Sequence, residues 1–270
     1  MKGKDLMKRR IFPFLWVGSI LFGLYITSLY SYLLFHSLAE MFSIIIACAI
    51  FMIAWNSRRF LEHDYLLFIG IAYLFVGGLD LVHTLSYKGM GVFPGTDANF
   101  PTQLWIAARY LQSISLLLAP LWIRRKLRVN SMLLACGMVV ALLLWAIFSS
   151  QVFPDCFIEG QGLTPFKKIS EYIISFMLGT AIILLLPWRK EFDPAVFHLL
   201  IGAILASIVA ELAFTLYVSV YGFFNLLGHL LKVVAFYLTY KALIETGLVR
   251  PYDLLFRNLK NSEEALRLSE

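Results

Sequence analysis

Residues 41–55 read MFSIIIACAIFMIAW, fifteen positions without a formal charge, and residues 11–35 upstream read IFPFLWVGSILFGLYITSLYSYLLF, equally uncharged. Such runs exceed what a buried strand or a soluble core helix requires and match the ~20 residues that cross a hydrocarbon layer as a helix. The whole chain agrees, because its 270 residues are 60% hydrophobic, 16% aromatic and only 15% charged, with a mean hydropathy of +0.78. A soluble chain carries roughly 25% charge. The composition therefore predicts a polytopic membrane protein and excludes a soluble enzyme, a nucleic-acid module and a disordered tail.

Counting spans at about 20 residues each predicts an all-α bundle of eight transmembrane helices, near 11–34, 36–55, 65–87, 101–123, 131–149, 166–187, 194–220 and 222–246. Of the 23 Lys and Arg residues, 18 then fall on one side: five before the first span, Arg58 and Arg59, the cluster from Arg124 to Arg128, Arg189 and Lys190, and five after residue 240. Lys88, Lys167 and Lys168 fall on the other side, and Arg109 and Lys232 lie within spans. The positive-inside rule then sets both termini in the cytoplasm, whereas seven spans would put one basic group outside. The basic start with its long apolar run lacks a small-residue cleavage site, so the first span is expected to stay. Cys48, Cys136 and Cys156 show no metal-type spacing and read as small hydrophobes. The links at Phe35 and at 221–222 read as tight helical hairpins, while the loops 87–100 and 150–168 are rich in Gly, Pro and aromatics.

Ionisable groups inside a bilayer cost several kcal/mol unless paired or hydrated, and this chain has His36, Glu40, Asp80, His83, Arg109, Glu171, His198, Glu211, His229 and Lys232. At about 1.5 Å per residue, His36 sits at the outer mouth, Glu40 about 6 Å deeper and His83 and Asp80 about 6–12 Å deep, with His229, Arg109 and Glu211 at about 10–14 Å and Lys232 near the midplane. Helical spacing sets His36 with Glu40, Asp80 with His83 and Tyr87, Trp105 with Arg109, and Asn225 with His229 and Lys232. A bundle that turns these stripes inward encloses a polar chamber in its outer half. His198 reads as interfacial, Glu171 as a carboxylate favoured at a helix start beside Lys167 and Lys168, and Trp16, Trp55, Trp105, Trp122 and Trp188 as an aromatic belt.

Several chemistries suit that chamber. His36, Glu40, His83 and His229, with Asp80 behind them, are the ligand types of a transition-metal site for zinc, copper or iron. Paired histidines also suit haem, and Arg109 and Lys232 between aromatic walls suit an organic or anionic ligand. Tyr87, Lys88, Trp105 and Glu211 complete the candidate ligand-binding set. The same charges can equally serve only to lock the helices together. A transporter or ion-conducting protein would instead require polar groups continuing to the cytoplasmic face, where only Thr239, Ser207 and Asn56 stand. A membrane redox or metal-hydrolytic enzyme would use the same chamber.

After Gly247 and Pro251 the chain turns polar and helical in character, with Leu259 and Leu266 one heptad apart, or it forms a short amphipathic interfacial helix. Three stretches, HSLAEMFSIIIACAIFMIAWNS from His36, DLVHTLSYKGM from Asp80 followed by Phe93, and LLFRNLKNSEEALRLSE from Leu254, resemble the third type of membrane-associated sensor domain, in the MASE group. The resemblance spans essentially the whole chain. It implies an N-terminal input module of a bacterial histidine kinase or diguanylate cyclase in the inner membrane. Residues 1–10 would then form a basic cytoplasmic start, 11–246 the sensor and 247–270 a linker to a PAS, kinase or cyclase output. The expected partners are lipids, a second copy in a homodimer and that output domain, with no nucleic acid. No kinase, PAS or cyclase motif occurs in these residues, so a non-enzymatic input role with no catalytic residue is expected.

Overall fold

The computed structural model describes residues 2–93, 97–216 and 222–249, with side chains from Trp16 onward. Eight long α-helices account for nearly all of it: α1 (Lys2–Tyr30), α2 (Tyr32–Ser57), α3 (Tyr65–Ser86), α4 (Asn99–Leu118), α5 (Val129–Phe148), α6 (Pro165–Leu185), α7 (Pro194–Leu216) and α8 (Phe223–Ile244). Among the described residues seven helices are long and apolar enough to cross a membrane, while the described apolar part of α1, Trp16–Tyr30, is shorter. Short 3-10 segments extend α4 to Trp122 and α6 to Glu191, and a π-helical turn, Glu245–Val249, follows α8. The segment 252–270, read above as a polar helical linker, and the loop residue Tyr221 lie outside the described residues.

The first helix break falls at Ser31, four residues before the expected link at Phe35. Ser31 adopts an extended backbone and its hydroxyl accepts from the Leu34 amide at 3.3 Å, capping α2. A serine oxygen satisfies an orphan helical donor, a role that Phe35 cannot fill. Phe35 is instead a fully buried residue of α2, clustered with Leu24, Ala39 and Val233. Thr164 caps α6 in the same way by accepting from the Lys167 amide at 3.2 Å, with Pro165 at the first helical position.

Large apolar side chains cover the outside of the bundle, including Ile45, Met52, Leu134, Leu142, Phe176, Ile183, Leu205 and Val209. Lipid tails are as apolar as these groups, so such exposure carries no penalty in a bilayer, and helices associate through close packing and polar contacts. Small residues supply that packing between α2 and α3, where a Cβ added at Gly70 would collide with Ala54 and one at Gly77 would stand 3.0 Å from Ala47. At one end of the bundle Asp64 ties three elements: its amide donates to the Trp122 carbonyl at 3.2 Å and its carboxylate accepts from the Leu127 amide at 2.7 Å. Beside it, burial pulls the His63 imidazole below its ordinary value as the ring packs edge-on against Phe192.

The opposite end carries the α3–α4 and α5–α6 loops. The latter holds a two-residue antiparallel pairing of Phe157–Ile158 with Gly162–Leu163. Asn99, at the start of α4, accepts from the Cys156 and Phe157 amides at 2.7 and 3.1 Å and donates to Asp155 at 2.7 Å, fastening this loop over the bundle. Cys156 is fully buried beneath it, and burial pushes its thiol up to about 12.

Two measurements check this packing. Gly70→Leu is expected to cost about 1–3 kcal/mol or more through overpacking, seen as a lower unfolding temperature in detergent, while Gly78→Leu on the same helix, with open space around it, leaves that temperature unchanged. A water-soluble maleimide should leave Cys156 unlabelled at pH 7.4, since a thiol at about 12 offers roughly a thousandfold less thiolate than a free one. Labelling as fast as in the unfolded chain would contradict the buried placement.

Candidate functional site

The polar stripes do converge laterally, at the end of the bundle that carries the α3–α4 and α5–α6 loops. The deepest layer is ionic. Arg109 on α4 donates through Nη2 to both oxygens of Asp80 on α3, at 2.6 and 2.8 Å. Lys232 on α8 lies 2.9 Å from Asp80 Oδ2 and donates to Glu40 Oε2 on α2 at 2.6 Å. All four side chains are at most 3% exposed. Arg109 also donates to Gln112, which donates to the Tyr73 hydroxyl at 3.2 Å, and that hydroxyl stands 3.5 Å from Thr239. Trp105 offers its ring face to both cations, at 4.7 Å from Arg109 and 4.9 Å from Lys232. A cation over an indole in a desolvated setting gains about 2 kcal/mol, so Trp105 belongs to the site rather than to an interfacial belt.

The second layer is imidazole. His36 Nε2 and His83 Nε2 are 3.2 Å apart, and His83 Nδ1 lies 2.7 Å from the Pro101 carbonyl. A carbonyl only accepts, so Nδ1 of His83 carries the proton and its Nε2 presents a lone pair toward His36. Tyr87 stacks on His36 at 3.6 Å and 19°. His229 meets His36 edge-on at 4.8 Å, and its Nδ1 is 3.0 Å from Glu40 Oε1. His36, Glu40 and His83 each offer a ligand atom within 4.8 Å of the other two.

Beside these rings is a cavity lined by His83, Tyr87, Trp105, Phe214, Asn225 and His229, with about 30 Å³ open to the centre of a water-sized sphere. That space is enough to admit a water molecule. Haem fits poorly here, because a porphyrin must pass between its two axial imidazoles and the His36 and His83 nitrogens stand in direct contact.

The remaining candidates are placed differently. Lys88 lies at the exposed rim, paired with Glu159 at 2.7 Å. His198 is a surface histidine bonded to the Pro194 carbonyl of its own turn. Glu211 does not join the imidazole layer but lies against Glu171. Glu171, read from sequence as a favourable helix-start carboxylate, is fully buried and paired with Lys167 Nζ at 2.6 Å. Lys167, counted above with the loop charges, is itself 1% exposed and donates to the Phe214 carbonyl at 2.8 Å. Sequence reasoning passed over this second cluster and the Tyr73–Gln112 extension. Spacing held the signal, since Lys167 and Glu171 are four apart, Gln112 is three beyond Arg109 and Tyr73 is seven before Asp80.

Removing one member of a buried ion network leaves an uncompensated charge and costs about 3–5 kcal/mol. Asp80→Ala strips Arg109 and Lys232 of their shared partner and is expected to lose about that much on detergent unfolding. Lys88→Ala breaks only an exposed pair and should change stability by less than about 1 kcal/mol.

No curated protein matches the chain, and no solved structure does. Residues 27–251, which contain every residue of both polar layers and of the cavity, match the MASE3 model, described as a membrane-associated sensor domain, and the chain belongs to that family.

Proposed function

We propose that this domain is the sensory input of a bacterial signal-transduction receptor of the histidine kinase or diguanylate cyclase type, and that its stimulus is a small ligand or metal bound in the polar chamber. The supporting observation is the position of Lys232. It stands on the last described long helix, directly below the cavity, and joins Glu40 of α2 to Asp80 of α3. A ligand that alters either carboxylate thereby acts on α8, and through α8 on whatever follows residue 249. The π-helical turn supports this route, because Gly247 there packs so closely on Ser57 of α2 that an added Cβ would stand 2.5 Å from its hydroxyl. Small rotations of α8 against α2 are therefore felt at the exit.

The orientation follows from charge. Arg58, Arg59, the Arg124–Arg128 cluster, Arg189 and Lys190 all lie at the end opposite the chamber. The positive-inside rule then puts that end in the cytoplasm and the chamber in the periplasmic half, with eight crossings and both termini cytoplasmic if α1 spans as well. A transport path fits less well. Toward the cytoplasmic end the polar chain stops at Tyr73 and Thr239, and the core becomes Ile50, Leu66, Ile69 and Leu243.

The test is the output of a receptor carrying this domain in its native membrane. Glu40→Gln and Lys232→Met are expected to abolish the stimulus-dependent change in autophosphorylation or cyclic dinucleotide synthesis while the protein still reaches the membrane. Unchanged responses in both variants would refute the proposal.

A further inference from the structure

We infer that His36 Nε2, His83 Nε2 and Glu40 form a binding site for one divalent transition ion of the zinc and copper class, and that the ion competes with Lys232 for Glu40. The inference specifies the ligand of the chamber and, for its signalling consequence, rests on the sensory reading above. Two imidazole nitrogens on one tetrahedral zinc, each about 2.0–2.1 Å from the metal, stand about 3.3 Å apart. The observed separation is 3.2 Å.

The neighbouring contacts have the form that metal sites use. Ligating histidines nearly always donate their other nitrogen to a carbonyl or carboxylate, which fixes ring and tautomer, and His83 does so to the Pro101 carbonyl at 2.7 Å. Tyr87 stacked on His36 and His229 against its edge hold the second ring. The donor set of two imidazoles, a carboxylate and no thiolate suits zinc or copper(II). The adjoining cavity, with about 30 Å³ of room, supplies a place for a water as a fourth ligand.

Glu40 Oε2 accepts from Lys232, while Oε1 lies 3.0 Å from His229 Nδ1 without a hydrogen bond, so an ion bound at Oε1 draws on the same carboxylate charge that holds Lys232. Lys232 keeps its contact with Asp80 when it yields. Metal entry would thus exchange a link from α8 to both α2 and α3 for one to α3 alone.

Cobalt(II) is the probe, because its visible absorption reports tetrahedral nitrogen and oxygen ligation directly. Detergent-purified protein stripped with chelator is titrated with Co²⁺ and then with Zn²⁺ in competition. The expected result is one ion per chain, displaced by zinc, with binding weakened at least roughly tenfold in each of His36→Ala, His83→Ala and Glu40→Gln. Lys232→Met should instead tighten binding, since it removes the competitor for Glu40, and a merely structural role for these residues would not produce that gain. A monodisperse, cooperatively melting wild type that shows no saturable Co²⁺ or Zn²⁺ binding would overturn the inference, as would binding unaffected by His36→Ala and His83→Ala. The receptor's output separates the two claims. Metal binding without any change in output would leave this site standing and remove the sensory reading, whereas an output that depends on Glu40 and Lys232 in a protein that binds no metal would do the reverse.

Discussion

A carboxylate and a guanidinium placed inside a hydrocarbon slab must neutralise one another in a single geometry, and Asp80 with Arg109 imposes that condition on the rest of the bundle. Each buried ion costs several kcal/mol in lost hydration, and only close, multiply bonded contact repays the debt. The Asp80 oxygens meet Arg109 at 2.6 and 2.8 Å and Lys232 at 2.9 Å. Rotating α3 by one residue would swing Asp80 about 100° away, leaving Arg109 without its bonded carboxylate and Lys232 with Glu40 alone. Lys232 extends the condition to Glu40. The registers of α2, α3, α4 and α8 are thus fixed by four side chains from four helices, whereas α5, with only Cys136 and Ile147 buried, is not held by any of them.

Small residues let this network close. Gly70 against Ala54 and Gly77 against Ala47 allow α2 and α3 to approach more tightly than larger side chains would permit. His36 is near the start of α2 and His83 near the end of α3, so two antiparallel helices held this closely bring the rings together. The 3.2 Å separation of the imidazoles follows from backbone packing several turns away. Phe214 performs a related service from α7, filling the space above Gly228 so closely that no Cβ could be added there, and presenting its ring to Trp105 and His229.

Much of this was legible in the sequence, for a physical reason. Apolar length and charge spacing are one-dimensional signals, so helix positions, the depth of each polar group and the face it occupies could be read along the chain. His36, Glu40, Asp80, His83, Arg109, His229 and Lys232 all meet as depth and face require. Lateral neighbours are not one-dimensional. Glu171 and Lys167 sit near a helix start, where carboxylates and amines are ordinarily solvated, and only the cover of α7 and the α5–α6 loop makes them a buried pair. The break at Ser31 hid in an apolar run because a serine cap leaves no mark on hydropathy. Trp105 looked like an interfacial residue because its neighbours across the bundle, two cations, lie on α4 and α8.

The asymmetry of the polar core bears on how such a domain can carry information. Ionisable groups crowd one half, while the other half is closed by Ile50, Leu66, Ile69 and Leu243. Under the sensory role proposed above, a change among the charges would pass down the bundle as a shift of a helix. Of the four helices in the ionic layer, α8 is the one whose cation touches two carboxylates on different neighbours. Couplings between sites are typically about 1–3 kcal/mol, about 5–150-fold in an equilibrium, and under the proposed role the loss of one of these two contacts would act on that scale. That is enough to move a balanced pair of helix packings from one to the other without disturbing Asp80 and Arg109, whose bidentate contact would survive in both states.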